Sequence, residues 1–250
     1  MLTSQAVTEN LARIHDRIEA GCHRAGRSPE DVKLMAVSKT HPAEAIAAAF
    51  AAGVRLFGEN RVQEFQHKSL ELKKLGIVVA GFGENQTNAG QVHLIGHLQS
   101  NKAGKAAEIF TAIDTVDSLK LAQRINEAAA RIQRCIPILI ELKLSTEEAK
   151  TGLTPGSSEL TELLEHLPSL NHLEMRGLMT VPPLNEDPET ARACFRQLRQ
   201  LRDALATQHS RLDFSELSMG MSGDFEIAIE EGSTLVRIGT AIFGARPKPA

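Results

Sequence analysis

The fold class predicted by this sequence is a single (β/α)8 barrel, and three observations predict it. The chain is 250 residues long, about the length that eight strand–helix units need. Short β-like apolar runs alternate with amphipathic helical stretches along nearly all of it. Strands separated by helices run parallel, and eight of them close into a barrel whose active site lies at the C-terminal ends of the strands. The competing open, doubly wound sheet needs a Gly-rich fingerprint after its first strand. Here that strand ends in Ser38-Lys39-Thr40.

The elements follow in order. MLTSQAVTENLARIHDRIEAGC has the spacing of an amphipathic helix. KLMAVS (33–38) then reads as the first strand, with a helix over 42–52. VRLFG (54–58) precedes a helix over 60–75, and VHLIG (92–96) precedes one over 102–109. TAIDTV (111–116) leads into 118–133, and PILIELKL (137–144) into 157–167. HLEMRGLM (172–179) is followed by a long helix over 188–208. FSELSM (214–219) precedes EIAIEEG, and TLVRIG (234–239) precedes the C-terminal tail. Residues 76–91, GIVVAGFGENQTNAGQ, break this rhythm and read as an inserted excursion on the barrel rim. No Pro/Gly linker divides the chain, so residues 1–250 are expected to form one domain.

The composition is that of an ordinary globular protein, with 42% hydrophobic and 24% charged residues. A net charge of −3 argues against nucleic acid or an anionic membrane as partner. Arg196, Arg199 and Arg202 fall at helical spacing and read as a solvated helix face. Cys22, Cys135 and Cys194 are far apart and lack metal-site spacing. No apolar run reaches spanning length, and the N-terminus lacks the basic start of a signal peptide, so a reducing cytoplasm is expected. The sequence has no Trp and no Tyr.

Two distant segments carry the chemistry. Lys39 sits at the end of the first strand, where the barrel mouth should be. Partial desolvation there would lower its pKa and make its amine a nucleophile towards an aldehyde. Ser218-Met219-Gly220-Met221-Ser222-Gly223-Asp224-Phe225 follows the seventh strand and opens a helical stretch. Small residues let backbone N–H groups approach an anion, and barrels commonly bind phosphate after strands seven and eight. Gly239 and Thr240, after the eighth strand, offer more donors. A turn with a helix cap by Ser222 explains the segment taken alone equally well. An aldehyde-seeking lysine beside a phosphate cup suits a phosphorylated sugar, or pyridoxal 5'-phosphate (PLP) held as a Schiff base. Arg237, on the last strand, would then face the pyridine nitrogen, leave it largely unprotonated and weaken the electron sink. A barrel-end salt bridge is its plainer role. Asn60 is positioned to hydrogen-bond the ring hydroxyl and His93 to line the pocket; a helix cap and a satisfied core histidine explain them equally well. Glu141 and Lys143, two apart on one face of strand five, either point into the mouth or pair with each other.

These residues belong to longer motifs: AVSKTHP around Lys39, LFGENRVQE (56–64), HLIGHLQSNK (93–102), EEAKTGL (147–153), RGLMTVPP (176–183) and LSMGMSGDFEIAIEEGSTLVRIGTAIFGAR (217–246). In this order, over about residues 5–246, the chain resembles the PLP homeostasis protein family. The resemblance implies a fold-type III PLP barrel like the N-terminal domain of alanine racemase. It also implies PLP on Lys39, phosphate near Ser222, Gly223, Gly239 and Thr240, and Arg237 by the ring nitrogen. The chain departs from the family pattern in its longer 76–91 segment, in Arg61, and in Glu141 and Lys143, which stand where Gln and Asn are expected.

The function expected is carriage or buffering of PLP for intracellular homeostasis, with PLP-dependent apoenzymes as acceptors and the chain a monomer. Weak amino-acid racemisation is the alternative, with His93 or a water as second base. Two-base racemases of this type need a tyrosine opposite the lysine, and the sequence has none. A Schiff-base aldolase acting on a sugar phosphate through Lys39 is a third, more distant reading.

Overall fold

The computed structural model describes residues 3–79, 89–145, 151–183 and 187–245. Among them eight parallel strands close in sequence order into a barrel: β1 Lys33–Val37, β2 Leu56–Glu59, β3 Gln91–Leu94, β4 Ala112–Val116, β5 Ile136–Glu141, β6 Leu173–Met179, β7 Glu216–Ser218 and β8 Leu235–Ile238. The helices between them are α2 Ala43–Ala51, α3 Val62–Lys74, α4 Ala103–Ile109, α5 Leu119–Arg131, α6 Ser158–His166, α7 Pro188–Gln208 and α8 Phe225–Glu230, with α9 Thr240–Phe243 after β8. α1, Ser4–Arg24, precedes the barrel. The predicted barrel is therefore the observed one. Closure pairs β1 with β8, setting Met35 opposite Arg237, and with β2, setting Val37 opposite Gly58.

Local chemistry explains where the helices begin. Thr3, Ser118, Ser157 and Asp187 each accept a hydrogen bond from a first-turn N–H. α8 and α9 have six and four residues, too few to cover β7 and β8. α1 supplies the missing cover by packing on α8 and α9. Its buried Val7, Leu11, Ile14, Ile18 and Cys22 recur every three or four residues and form its inner face. Asn10 donates to the Ile242 carbonyl, and Arg17 and Arg24 pair with Glu226 and Glu230.

Inside the barrel, β6 carries a bulge. Ile138 faces Met175, but the next residue, Leu139, faces Gly177, which leaves Arg176 as the extra residue. Gly177 has φ +155°, and a Cβ there would lie 1.8 Å from the Glu216 carbonyl oxygen, so only glycine lets β6 lie against β7.

Three expectations need correcting. The strands are shorter than their apolar runs. Residues 54–55 precede β2, although the Arg55 carbonyl still accepts from the Gln91 N–H at 2.6 Å; the Arg55 side chain stacks on Phe50 and donates to the Phe50 and Val54 carbonyls. Residues 142–144 also lie beyond β5, where Leu142 bridges Leu153. Second, the 76–91 excursion is narrower than expected. Val79 bridges Gly90, Gln91 already belongs to β3, and residues 80–88 lie outside the described ones. Third, the α7 arginines are more than a solvated face. Arg192, Arg196 and Arg199 converge on the buried carboxylate of Glu231. Burial opposes that charge, but hydrogen bonds from Arg196 and Arg192 outweigh it and hold Glu231 below its ordinary pKa. Among the described residues no helix is long and apolar enough to cross a membrane, and Cys22, Cys135 and Cys194 form no disulfide with one another.

Candidate cofactor site at the C-terminal end of the barrel

Adjacent strands β7, β8, β1 and β2 bring most of the predicted site residues to one end of the barrel. Lys39 lies two residues beyond β1, in a turn, and is half-buried. Asn60 directly follows β2, and a Cβ on Gly96 would lie 2.3 Å from its carbonyl oxygen, so the segment just after β3 approaches it closely. Ser218 ends β7, and Gly239 and Thr240 open α9 directly after β8.

Arg237 is the electrostatic centre of this end. It is fully enclosed, yet its guanidinium donates to Ser218 Oγ at 2.7 Å and to the Thr180 carbonyl at 2.8 Å. Burial pushes its pKa below the ordinary value, while Asp114, Asp224 and Glu141 pull the other way. An arginine remains charged regardless, so Arg237 is a fixed cation acted on by the carboxyls of Asp114, Asp224 and Glu141. Burial raises the pKa of Glu141, opposed mainly by a hydrogen bond from Thr151. Asp224 is likewise raised by burial, and it accepts a hydrogen bond from the Met221 N–H. Glu141 thus points inward at the mouth, whereas Lys143 lies past the end of β5.

The turn over 221–224 sits next to α9, with the Ala241 N–H donating to Ser222 Oγ at 3.3 Å. The glycines around it do different work. Gly220 has φ +95°, and a Cβ there would lie 2.6 Å from that of Ala228, so it is needed for packing. A Cβ on Gly223 would meet nothing within 4 Å; space is open there. Gly239 packs on the end of β1, where a Cβ would lie 3.2 Å from the Val37 carbonyl oxygen.

These residues fit PLP on observations independent of sequence likeness. Asn60 Oδ1 is buried and has no hydrogen-bond partner among the described residues. A buried acceptor without a donor costs about 1–3 kcal/mol, and a ring hydroxyl is such a donor. The open space at Gly223, beside Ser222 and the start of α9, suits a phosphate whose oxygens accept from backbone N–H groups.

His93 lies elsewhere. It stands within β3, in register with Gly58, and its Nδ1 is 3.0 Å from the buried Asp114. The cavity it lines, about 820 Å³, is at the other end of the barrel, among the first residues of the strands. Charged groups there include Lys33 and Glu216, already bonded to each other, and Arg176, paired with Glu174.

Sequence reasoning missed the support beneath Lys39. Glu59 is fully buried on the outer side of β2, and Lys68 of α3 reaches it at 2.6 Å. Lys68 also donates to the Ser38 carbonyl at 3.0 Å and to Glu64 at 3.1 Å. Ser38 Oγ donates to Glu59 at 2.7 Å, and the Thr40 N–H donates to Glu64 at 2.6 Å. Burial raises the pKa of Glu59, opposed chiefly by Lys68. The one sequence signal was the i,i+4 spacing of Glu64 and Lys68, which also fits an exposed pair.

Comparison with known proteins places the chain. The family "Alanine racemase, N-terminal domain" matches residues 3–247. A pyridoxal phosphate homeostasis protein of Aquifex aeolicus is 41% identical over 238 residues, covering 95% of this chain and 97% of its own. One from Escherichia coli K12 is 41% identical over 240 residues, covering 96% and 97%. PipY of Synechococcus elongatus, solved with PLP bound, is 39% identical with a TM-score of 0.80 over 95% of this chain and 100% of that one. An alanine racemase of Clostridium difficile, 17% identical with a TM-score of 0.68 over 98% of this chain and 58% of that one, shares the barrel alone. The close relatives are thus named for homeostasis, not catalysis, and the chain belongs to the pyridoxal phosphate homeostasis protein family.

Proposed function

We propose that this protein binds PLP as a Schiff base on Lys39 and serves intracellular PLP homeostasis, carrying or buffering the cofactor for apoenzymes. The observation that carries this reading is the meeting of a lysine, a donorless buried Asn60 oxygen and the open Ser222–Gly223 turn at one end of the barrel. A related chain solved with PLP bound supports it. When bound, the cofactor supplies an aldehyde carbon for the lysine and a phosphate for the turn. Asn60 accepts from the ring hydroxyl. Ser222, Gly223, Gly239 and Thr240 surround the phosphate. Arg237 faces the ring nitrogen, oriented by Ser218, and keeps it unprotonated. His93 acts from beneath, through Asp114, rather than by touching the ring.

This arrangement suits storage better than turnover. Racemisation needs a proton donor on each face of the ring. The chain has no tyrosine, and the cavity lined by His93 is the lower one. We read the protein as a cytoplasmic monomer whose partners are PLP and PLP-dependent apoenzymes.

Transfer tests the carrier role. Loaded protein mixed with a PLP-dependent apoenzyme is expected to restore its activity while the carrier's own visible absorption falls in step. Absorption that stays constant beside an apoenzyme that stays inactive would contradict carriage.

A further inference from the structure

We propose that Lys68, with Glu59 and Glu64, is a positioning unit for Lys39, fixing the backbone on both sides of that lysine so that its amine meets the PLP carbonyl carbon in one orientation. The proposal rests on the reading of Lys39 as the PLP anchor. Lys68 and Glu59 lie outside the barrel wall. Gly58 turns inward, where a Cβ would meet Met35 and Ile95, so its neighbour Glu59 turns out towards α3.

A buried ion pair is a poor source of stability, because desolvation offsets most of the attraction. What this one provides is direction. Lys68 Nζ binds the Ser38 carbonyl, Glu59 binds the Ser38 hydroxyl, and Glu64 binds the Thr40 N–H. All three bonds end on the residues flanking Lys39. Thr40 also has φ +65°, a left-handed conformation that a β-branched residue adopts only when its surroundings over-determine it. The Glu64 bond to its N–H is part of that determination. Straightening Thr40 would redirect the chain next to Lys39.

The reaction served is a condensation. The neutral Lys39 amine adds to the carbonyl carbon, a C=N bond replaces the C=O bond, and the oxygen leaves as water with the two amine hydrogens. No electrons are exchanged. The positioning unit gives no atom to this step; it sets the angle of approach, on which such rates depend steeply.

The test uses the full chain with Glu64→Ala, Glu64→Gln and Lys68→Met, and three readouts. These are hydrogen exchange at the Thr40 amide, the rate of PLP attachment to Lys39 trapped by borohydride, and visible circular dichroism of the bound cofactor. Glu64→Ala is expected to speed Thr40 exchange and slow attachment, each about tenfold, and to change the dichroism. Glu64→Gln keeps an acceptor oxygen and is expected to stay near the wild-type chain. Lys68→Met should move all three readouts as Glu64→Ala does; if it fails to fold, the two Glu64 variants decide. Faster Thr40 exchange with unchanged attachment rate and dichroism would overturn the proposal. So would unchanged exchange in Glu64→Ala, with or without PLP. A wild-type chain never labelled at Lys39 would sink the ligand reading and the purpose assigned here, while exchange would still show whether the clamp exists.

Discussion

Replacing Arg237 with alanine is expected to destabilise the protein by about 3–5 kcal/mol, the usual consequence of removing one partner of a buried charge cluster. The variant strands Ser218 Oγ and the Thr180 carbonyl, both now bonded to the guanidinium. It also leaves the raised carboxyls of Glu141 and Asp224 without the cation that pulls their pKa values down. For a chain of this size the loss corresponds to a fall in melting temperature of roughly 10 °C. The pH dependence follows from the same groups. A carboxyl whose folded pKa lies above its unfolded value favours the fold below the unfolded pKa and loses that contribution as pH rises through the folded one. With Arg237 gone both carboxyls rise further, so the deficit is largest at neutral pH and shrinks towards about pH 4. Paired melts of wild type and Arg237→Ala across this range check both size and sign. A deficit constant with pH would mean that Arg237 acts through its hydrogen bonds and packing, not through the carboxyls.

Gly223→Asp should weaken PLP retention sharply while leaving the fold intact. A Cβ at this position meets nothing within 4 Å, and the backbone is not left-handed there, so neither sterics nor strain opposes a side chain. Gly223→Ala is therefore expected to melt and bind like the wild type. Aspartate places a negative charge where the phosphate is proposed to sit, and juxtaposed like charges cost several kcal/mol. A loss of affinity of about 100-fold, or ~2.7 kcal/mol, is expected in equilibrium titration, with a melting temperature of the PLP-free protein equal to that of Gly223→Ala. Equal affinity of the two variants would move the phosphate away from this turn. Gly220 offers no such test, since its φ and its contact with Ala228 tie it to folding.

Much of the barrel was legible because its cause is local. Alternation of apolar runs with amphipathic stretches located every strand, and α7 spans the expected 188–208. What blurred the strand ends was pairing that no period encodes: the apolar run at 54–58 gives no sign that β2 begins only at Leu56, opposite Gln91. Lys39 and the 218–225 segment stood out in sequence because nucleophilic and small residues fell where barrels bind ligands. Lys68 did not. It sits in HKSLELKK, a run that reads as solvent-facing, and only the fold shows it pressed on a buried Glu59. The α7 arginines carried the same ambiguity, because their partner Glu231, the C-cap of α8, lies 35 residues on from Arg196. His93 was misleading for a third reason. Its place near Asn60 in strand order hides a difference in depth, and Asp114 on the next strand holds its ring.

Borohydride reduction of the PLP-treated protein, followed by mass mapping of the modified peptide, tests the central claim most directly. The account predicts visible absorption lost on reduction, one pyridoxyl group on Lys39, and neither signal from that residue in Lys39→Ala. A protein that stays colourless and unmodified after incubation with PLP would contradict it, and would turn attention to phosphorylated sugars as the ligand of this barrel.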